Sequence, residues 1–466
     1  MSPRIRTGLQ IYVSLCERLN LSQLENGYYY CMKIVILGYG EQGRSAYEYW
    51  QKPGNVITIC DQNEQTELEL PADAQKQLGK DYLQGLDQYD LIIRSPSVHP
   101  QDISDANSPV TLNKVTTVTN EFLKVCPSKN IIGVTGTKGK GTTSTLIAKM
   151  LEAVGFKVHI GGNIGTPPLD MLKASIGPKD WVVLELANFQ LIDLKFSAHI
   201  AVCLMVSPEH LNWHKDMQEY ITAKQQLFIH QGIDDIAIYY ALNDYSQHIT
   251  SVSKGHKVPY MKHPGADVIE NVVTIDGQQI CNVSDLKLLG EHNWQNVCAA
   301  VTCVWQVTQD TRAMRSVLTS FTGLSHRLEF IREIGSVRYY DDSFGTTPET
   351  AIVAIEAFKE PKVVILGGSD KGATYEELAK TVKDNNVRKV VTIGDTAPSI
   401  KATLEKAGFH DIVEGGTTME QIVKTTREQA QPGDIVLLST GCASFGLFKN
   451  YKDRGKQFKT VVRSLV

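Results

Sequence analysis

The sequence predicts an α/β protein with three domains: a Rossmann-like N-terminal domain, a central P-loop ATPase-type domain with a mostly parallel sheet, and a Rossmann-like C-terminal domain. A chain of 466 residues has the length of roughly three domains. Apolar segments typical of strands alternate with helical segments, a pattern that indicates parallel sheets covered by helices. Two glycine-rich loops each follow such a strand and precede a helix, which predicts phosphate-binding sites.

The first domain is predicted to begin near Met32, because the following KIVILGYG reads as a first strand and a glycine turn. Residues 1–31 start basic, but their apolar stretch is short and no small-residue cleavage site follows. They are therefore predicted to be an extension of unknown role rather than a signal peptide. The predicted domains are 32–125, 126–325 and 326–466.

The composition narrows the class of function. The formal net charge of −4 argues against a general nucleic-acid binder. Nine cysteines without a CxxC pair give no zinc or thioredoxin-like spacing, and they fit reduced thiols in a cytoplasm. The chain has no run of eighteen apolar residues, so the sequence predicts no membrane-spanning helix. We expect a cytoplasmic protein, and a monomer.

The first glycine loop is GYGEQG, from Gly38 to Gly43, and Asp61 ends the next predicted strand. This spacing is the dinucleotide-binding fingerprint and would by itself suggest NAD. The spacing does not distinguish NAD from other ligands, however, because glycines and a helix N-terminus suit any diphosphate, UDP included. A tight turn without a ligand is the simplest alternative.

The second glycine loop is GVTGTKGKGTT, within residues 133–143. Gly136 and Gly139 free backbone N–H groups to point at phosphate, and Lys140 supplies a charge for the outer phosphates. Gly155 is a plausible end for the helix that follows. The strand–loop–helix context predicts ATP binding.

This loop departs from the strict P-loop pattern at two positions. Val134 stands where the first glycine belongs, and Gly141 follows the lysine where serine or threonine is usual. Thr142 or Thr143 could still offer a hydroxyl to Mg²⁺ from one residue further on.

Polar residues also follow two buried strands of the central domain. WVVLELANFQ carries Glu185, and HIAVCLMVSPEHLNWH carries Glu209, His210 and His214. In isolation, Glu185 could be a buried carboxylate paired with a lysine and His210 a loop histidine. Beside a P-loop, both are candidate ligands of Mg²⁺ and the substrate phosphates.

The ordered segments GTKGKGT, GNIGTP, LELANFQ, SPEHLNWH, the AK of ITAKQQLF, GEHNWQN and SHRLEF resemble the Mur ligase family from about Met32 onward. The resemblance implies joining of an amino acid to a carboxylate at the expense of ATP, with Mg²⁺, through an acyl phosphate. LLSTGCASFGLFKNYKDRGKQF is similar to the closing motif of the branch that adds D-glutamate to UDP-MurNAc-L-alanine. It implies a bacterial cytoplasmic enzyme.

The resemblance also implies that domain 32–125 binds a UDP substrate, domain 126–325 binds ATP and domain 326–466 binds an amino acid. It further implies roles for individual residues. The catalytic candidates are Lys140, Glu185, His210 and Lys224, the lysine that the family carbamylates. The metal candidates are Thr142, Glu185, His210 and, in its carbamylated form, Lys224. The ATP candidates are Gly136, Thr137, Lys138, Gly139, Lys140, Gly141, Thr142, Thr143, Asn293, His326, Arg327 and Asp342. The UDP-substrate candidates are Gly38, Tyr39, Gly40, Glu41, Gln42, Asp61, Ser95, Pro96, Asn163 and His214. The D-glutamate candidates are Thr346, Lys371, Ser444 and Tyr451.

Several positions depart from the family's pattern, among them Lys138, the Ala187–Asn188 pair, Asn212 and Phe344. DDSFGTTPE also resembles a segment of the family member that adds L-alanine to UDP-MurNAc. That activity, glutamate addition to a folate, an NAD-dependent oxidoreductase and a non-catalytic binding protein are the alternatives. The UDP-type first domain disfavours the folate enzyme, and an oxidoreductase leaves the second glycine loop without a role.

Overall fold

A computed structural model describes residues 32–163, 165–288, 292–370 and 372–465. The predicted extension 1–31 and Lys371 therefore lie outside the described residues. The described chain falls into two compact units, which divide between Ser320 and Phe321. We call them unit 1 and unit 2.

Unit 1 contains the following strands and helices, in chain order. They are β1 Lys33–Leu37, α1 Glu41–Trp50, β2 Val56–Asp61, β3 Gln75–Leu78, β4 Leu91–Arg94, α2 Pro100–Ala106, β5 Val115–Thr116, α3 Val118–Val125, β6 Ile131–Thr135, α4 Lys140–Val154, β7 Val158–Gly162, α5 Pro168–Met171, β8 Trp181–Glu185, α6 Asn188–Leu191, β9 Ile200–Cys203, α7 Met217–Ile229, β10 Ile236–Tyr240, α8 Asp244–Thr250, β11 His256–Tyr260, β12 Asp267–Ile269, β13 Val272–Ile275, β14 Gln278–Asn282, α9 His292–Trp305 and α10 Thr311–Leu318.

Unit 2 continues this numbering. Its elements are β15 Glu329–Ile334, β16 Val337–Asp341, α11 Pro348–Glu356, β17 Lys362–Gly367, α12 Glu376–Asp384, β18 Val387–Ile393, α13 Ala397–Lys406, β19 Ile412–Glu414, α14 Met419–Gln429, β20 Ile435–Leu438 and α15 Tyr451–Ser464.

The first sheet of unit 1 has the order β3-β2-β1-β4-β5, and its paired strands are parallel. In its register, Ile36 lies between Ile59 of β2 and Ile93 of β4. The strand order reverses at β1, because β2 and β4 lie on opposite sides of it. In open α/β sheets a ligand crevice forms outside the carboxyl ends of the strands at such a point. The GYGEQG loop follows β1 at that point.

The second sheet has the order β11-β10-β9-β6-β8-β7, again with parallel pairs. Val134 of β6 pairs with Glu185 of β8 on one side and Val202 of β9 on the other. Every residue of β6, β8 and β9 is buried, as their continuous apolar runs predict for strands covered on both faces. The register places the ends of these three strands side by side.

The first two sheets of unit 1 share one apolar core. A cluster of buried side chains runs from Ile36 of β1 through Phe122 of α3 to Leu184 of β8. Arg94, at the end of β4, is fully buried and donates to both carboxylate oxygens of Asp193, at 2.8 and 2.6 Å. Arg94 also donates to the carbonyl oxygens of Val98 and Phe189. This guanidinium therefore joins the end of β4 in the first sheet to α6 and the segment after it, which follow β8 of the second sheet.

A small antiparallel sheet, β12-β13-β14, is absent from our sequence-based prediction. Asp276 and Gly277 connect β13 to β14 with φ of 48° and 73°, the conformation of a type I′ hairpin turn. The Asp-Gly pair between two apolar segments was the signal that could have revealed it.

Unit 2 contains a sheet of order β15-β16-β20-β17-β18-β19. Strand β15 is antiparallel to β16, and the remaining pairs are parallel. Buried apolar clusters cover both faces, with Leu366 on one and Ile365 on the other. This agrees with the predicted doubly wound architecture of the C-terminal segment.

Within the described ranges, no helix combines the length and apolar character needed to cross a bilayer. The cysteines that the structure describes as free are all buried: Cys60, Cys126, Cys203, Cys281, Cys298, Cys303 and Cys442.

The burial of Arg94 leads to a prediction about stability. In Arg94→Met the Asp193 carboxylate, 20% exposed, loses its bidentate partner, and we expect a cost of about 3 kcal/mol in the free energy of unfolding. Lys173→Met is the matched control, because its ion pairs with Glu48 and Asp170 involve a side chain that is 61% exposed. That change should cost on the order of 1 kcal/mol or less. Denaturant unfolding of both variants measures the difference, and equal costs would contradict a bridging role for Arg94.

Candidate functional site

The second glycine loop leaves β6 and enters α4 as predicted. Gly139 is the residue before the helix and adopts φ of +87°, and Gly155 ends the helix. A Cβ on Gly139 would lie 2.0 Å from Oδ1 of Asn296, so this position requires glycine on two separate grounds. The loop backbone can therefore turn its N–H groups outward ahead of the helix N-terminus, as a phosphate site needs.

The charged side chains of this loop are held by neighbouring groups. The Lys140 ammonium donates to the carbonyl oxygens of Gly136 at 3.0 Å and Thr137 at 2.9 Å. Lys138 is 68% exposed and forms an ion pair of 2.7 Å with Glu209. The Lys140 ammonium is thus held against the loop by the carbonyl oxygens of Gly136 and Thr137.

The hydroxyl groups after Gly141 differ in their surroundings. Both Thr142 and Thr143 are buried, and Thr143 donates to Oδ1 of Asn296 at 3.4 Å. Asn296 also donates to Oδ1 of Asn293, one helical turn earlier on α9, at 2.9 Å. The family resemblance of the sequence identifies Asn293 but not Asn296, although a spacing of three residues on a helix places both on one face.

Glu185 lies at the carboxyl end of β8, beside the loop that follows β6. It is 3% exposed, and the side-chain amide of Asn163 donates to its Oε1 at 3.3 Å. The backbone N–H of Asn163 donates to the carbonyl oxygen of Glu185 at 2.8 Å. The structure therefore brings these two predicted residues together, although they belonged to different predicted sites.

His210 follows β9 and has an unusual backbone, with φ of +59°. Its imidazole packs against Phe189, with ring centroids 4.8 Å apart. Burial lowers the pKa of His210, and the nearby Glu209 carboxylate opposes that shift. A neutral imidazole is the form that binds a metal, and a non-glycine residue with positive φ is often found at functional sites.

Lys224, on α7, is completely buried, and its side chain contacts the same loop. Its ammonium nitrogen lies 3.1 Å from the carbonyl oxygen of Gly136 and 4.4 Å from the centroid of the Tyr220 ring. Burial lowers its pKa to about 7, and the positive charge of Lys140 adds to the shift. A substantial fraction of this amine is therefore neutral at neutral pH.

His214 is also buried, with its side chain fully enclosed. Its Nδ1 lies 3.1 Å from Oε2 of Glu219, and its Nε2 lies 2.7 Å from the amide nitrogen of Asn188. Both ring nitrogens are thus engaged, and the predicted contact between His214 and a substrate would require this network to open.

The first glycine loop forms a second candidate site at the end of β1. The backbone N–H of Tyr39 donates to Oδ2 of Asp61 at 2.8 Å, and the Ser95 hydroxyl donates to the carbonyl oxygen of Gly38 at 2.8 Å. Helix α1 starts at Glu41, directly after Gly40. The structure therefore gathers most UDP candidates at one edge of the first sheet; Gln42 lies in α1 and Pro96 follows Ser95.

The remaining candidates of the ATP site lie in unit 2. His326 has φ of +65°, and its Nδ1 lies 2.7 Å from Oδ2 of the buried Asp341. Asp342 accepts hydrogen bonds from the Ser439 hydroxyl and the backbone N–H of Leu328, and burial raises the pKa of its carboxyl group to about 6. The guanidinium of Arg327 lies 4.8 Å from the centroid of the Phe344 ring.

The D-glutamate candidates follow neighbouring strands of the sheet in unit 2. Thr346 comes after β16, and the buried Ser444 comes after β20, which pairs with β16. Tyr451 begins α15, and its ring contacts Phe344 at a centroid distance of 5.3 Å. Lys371 follows β17 but lies outside the described residues. Carboxyl ends of adjacent parallel strands are the expected place for a ligand.

Comparison with known proteins gives an independent result. Residues 134–304 match the Mur ligase middle domain, and residues 326–442 match the Mur ligase glutamate ligase domain. The UDP-N-acetylmuramoylalanine–D-glutamate ligase of Clostridium botulinum (strain Loch Maree / Type A3) is 34% identical over 449 residues, which cover 93% of this chain and 97% of that protein. The ligase of the same name from Clostridium tetani is 34% identical over 94% of this chain and 97% of its own length.

Solved structures show the same fold at lower identity. The UDP-N-acetylmuramate–alanine ligase MurC of Thermotoga maritima has a TM-score of 0.55 and 17% identity, covering 93% of this chain and 99% of that one. The MurF ligase of Thermotoga maritima in complex with ADP has a TM-score of 0.54 and 17% identity, covering 92% and 97%.

The environment of Gly139 yields a prediction for nucleotide binding. In Gly139→Ala the new Cβ collides with Asn296 at a position that already requires positive φ, so we expect the loop to distort and the affinity for ADP to fall by at least about tenfold. Gly155→Ala is the control, because φ there is also positive (+104°) but no heavy atom lies within 4 Å of the added Cβ. Calorimetric titration with ADP compares the two, and equal affinities would contradict a phosphate-binding role for this loop.

Proposed function

This chain belongs to the Mur ligase family, and we propose that it is the ATP-dependent ligase that joins D-glutamate to UDP-N-acetylmuramoyl-L-alanine in peptidoglycan synthesis. The observation that carries the proposal is the 34% identity with D-glutamate ligases over almost the full length of both chains. The geometry around the second glycine loop supports ATP as the source of energy, because loop backbone, Lys140 and a helix N-terminus converge there.

In this proposal the loop from Gly136 to Thr143 holds the phosphates of ATP. Backbone N–H groups and the Lys140 ammonium face the transferring phosphoryl group, and their charge is favourable where the transition state concentrates negative charge. Asn293, His326, Arg327 and Asp342 are assigned to the rest of the nucleotide. Gly141 has no hydroxyl group, so Thr142 is assigned to supply the hydroxyl ligand of Mg²⁺.

The residues beside the loop fit Mg²⁺. Glu185 supplies a buried carboxylate, Thr142 a hydroxyl group and His210 an imidazole whose lowered pKa keeps it neutral. Oxygen donors combined with substrate phosphates are the environment that Mg²⁺ prefers. When bound, Mg²⁺ would neutralise part of the phosphate charge. These three side chains follow or adjoin the ends of β6, β8 and β9, which lie next to one another in the sheet.

The chemistry proceeds in two displacements. The carboxylate oxygen of UDP-N-acetylmuramoyl-L-alanine bonds to the γ-phosphorus of ATP, ADP leaves, and an acyl phosphate forms. The amine of D-glutamate then bonds to the acyl carbon, the C–O bond to phosphate breaks, and the amine loses one proton. The protein contributes positioning and charge rather than a nucleophile of its own.

Lys224 is proposed to act as a carbamate. A neutral amine adds to the carbon of CO₂ and releases one proton, which converts the side chain into an anion. The pKa of about 7 makes this addition feasible at neutral pH, because burial removes the usual preference for the ammonium form. The resulting carbamate would lie against the glycine loop and could bind Mg²⁺ together with Glu185 and His210.

The two other ligands are assigned to the remaining glycine loop and to unit 2. The UDP portion is proposed to bind at the GYGEQG loop with Asp61 and Ser95, and the muramoyl portion near Asn163. D-Glutamate is proposed to bind Thr346, Ser444, Tyr451 and Lys371, the last supplying a cation for a carboxylate. We further propose a monomer that works in the cytoplasm, where ATP is available.

The first prediction of this proposed function concerns substrate specificity. With ATP, Mg²⁺ and UDP-N-acetylmuramoyl-L-alanine, we expect phosphate release in the presence of D-glutamate and none with L-glutamate, L-alanine or no amino acid. Lys140→Ala should abolish the release, because the outer phosphates lose their cation. A coupled phosphate assay measures this. Release with UDP-N-acetylmuramate plus L-alanine instead would move the enzyme to the L-alanine-adding step.

The second prediction concerns Lys224. Incubation with ¹³C-bicarbonate should give a carbamate resonance in ¹³C NMR spectra that is missing from Lys224→Met and present in Lys173→Met, a control at an exposed lysine. The resonance should weaken as the pH falls below about 7, since the amine then becomes protonated. A signal that persists in Lys224→Met, or that strengthens in acid, would contradict the assignment.

A further inference from the structure

Two histidine side chains and one backbone N–H group of unit 1 meet at one carboxylate oxygen. Oε2 of Glu219, in the first turn of α7, lies 3.3 Å from Nε2 of His99 and 3.1 Å from Nδ1 of His214. The backbone N–H of Lys215 donates to the same oxygen at 2.9 Å. His99 comes from the segment after β4, so this cluster, like Arg94, connects the first sheet to the second.

The hydrogen bonds around the cluster determine where the imidazole protons lie. The backbone N–H of Gln101 donates to Nδ1 of His99 at 3.0 Å, so the hydrogen of a neutral His99 must be on Nε2, directed at Glu219. With the Asn188 amide donating to Nε2 of His214 at 2.7 Å, the hydrogen of His214 is on Nδ1, also directed at Glu219. Burial lowers the pKa of His214, which favours this neutral ring.

The same three ligand atoms lie within 4.8 Å of one another, the arrangement that a metal ion would require. For His99, however, the backbone N–H of Gln101 occupies the lone pair of Nδ1. Nε2 of the neutral ring then carries a hydrogen rather than a lone pair, and it cannot be a metal ligand in this arrangement. The geometry therefore favours a hydrogen-bonded cluster over a metal site.

The cluster is connected to the strained residue of the candidate active site. The carbonyl oxygen of His210 accepts the backbone N–H groups of Trp213 at 3.0 Å and His214 at 2.9 Å, which closes a tight turn. The Phe189 ring lies parallel to the His214 ring, at a centroid distance of 6.3 Å, and also packs against His210. Fixing the His214 ring thus supports the turn in which His210 keeps its positive φ.

We propose that Glu219 is a positioning residue of the ligase. By accepting N–H groups from His99 and His214, it completes, together with the donors Gln101 and Asn188 on the opposite ring nitrogens, the hydrogen bonds that set the two tautomers. It thereby holds the turn from His210 to His214 in the geometry that a metal ligand at His210 needs. This inference rests on the proposed function for its kinetic consequence, whereas its structural consequence can be measured without turnover.

The test uses Glu219→Gln in the full chain, because the amide keeps the size but turns an N–H group toward one of two donors. In ¹⁵N-histidine spectra we expect His214 of the parent protein to show the Nδ1–H tautomer and the variant to show a tautomer mixture. The KM for Mg²⁺ should rise by about tenfold, the lower end of the effect of losing a partner bonded to a metal ligand, because Glu219 acts on His210 through His214 and Phe189. The KM for D-glutamate should change less than about twofold.

Matched variants separate positioning from general instability. Glu219→Asp keeps the acceptor chemistry and should restore the tautomer and most of the Mg²⁺ affinity. Glu152→Gln, at an exposed position of α4, should change neither. If Glu219→Gln does not fold, Glu219→Ala provides the same comparison of the His214 tautomer, because it also removes the carboxylate that accepts from Nδ1 of His214.

The outcomes that would overturn the proposal are distinct. An unchanged His214 tautomer in Glu219→Gln, or equal losses for every substrate with a lowered melting temperature, would reduce Glu219 to a structural residue. Zn²⁺ binding by the parent protein that disappears in Glu219→Gln would make the cluster a metal site. Should the parent protein lack ligase activity, the tautomer shift and Mg²⁺-dependent ADP binding still decide the role of Glu219, so the two failures remain distinguishable.

Discussion

Parallel pairing of β6, β8 and β9 is the constraint on which the candidate active site depends. Parallel strands direct all their carboxyl ends to one edge, so the loop before Lys140, the carboxylate of Glu185 and the turn of His210 meet although they are far apart in sequence. The continuous burial of these strands leaves polar groups no place except their ends. The candidate catalytic side chains therefore lie where the apolar segments of these strands end.

The electrostatics of the site follow from burial around that edge. Lys224 is buried against the loop, and both its amine and that of Lys140 donate to the carbonyl oxygen of Gly136; Lys140 also donates to that of Thr137. Desolvation and mutual repulsion both favour the neutral form of the enclosed amine, and its pKa falls to about 7. The positive charge of Lys140 favours a polyanionic ligand at this loop, whereas burial favours the uncharged form of Lys224.

Two sets of contacts between segments of the first and second sheets hold the loops around this edge in place. Arg94 joins β4 to the segment at Asp193, and Glu219 joins His99 to His214. Both connections use buried or half-buried charged groups with several hydrogen bonds each, which makes them specific in direction. The loop that follows β4 and carries Ser95 and Pro96 is thereby fixed relative to the turn that carries His210.

The sequence by itself predicts the strand–loop–helix units, both glycine loops, and the positions of Glu185 and His210 after buried strands, because local periodicity and glycine spacing encode them. It also carries the resemblance that names the family. Tertiary structure decides what periodicity cannot express: the pairing of Asn163 with Glu185, the partnership of Asn296 with the loop, the burial of Lys224, and the convergence of His99 and His214 on Glu219. Each of these contacts joins residues on separate elements, and their distances depend on strand order and packing rather than on neighbouring residues in the chain.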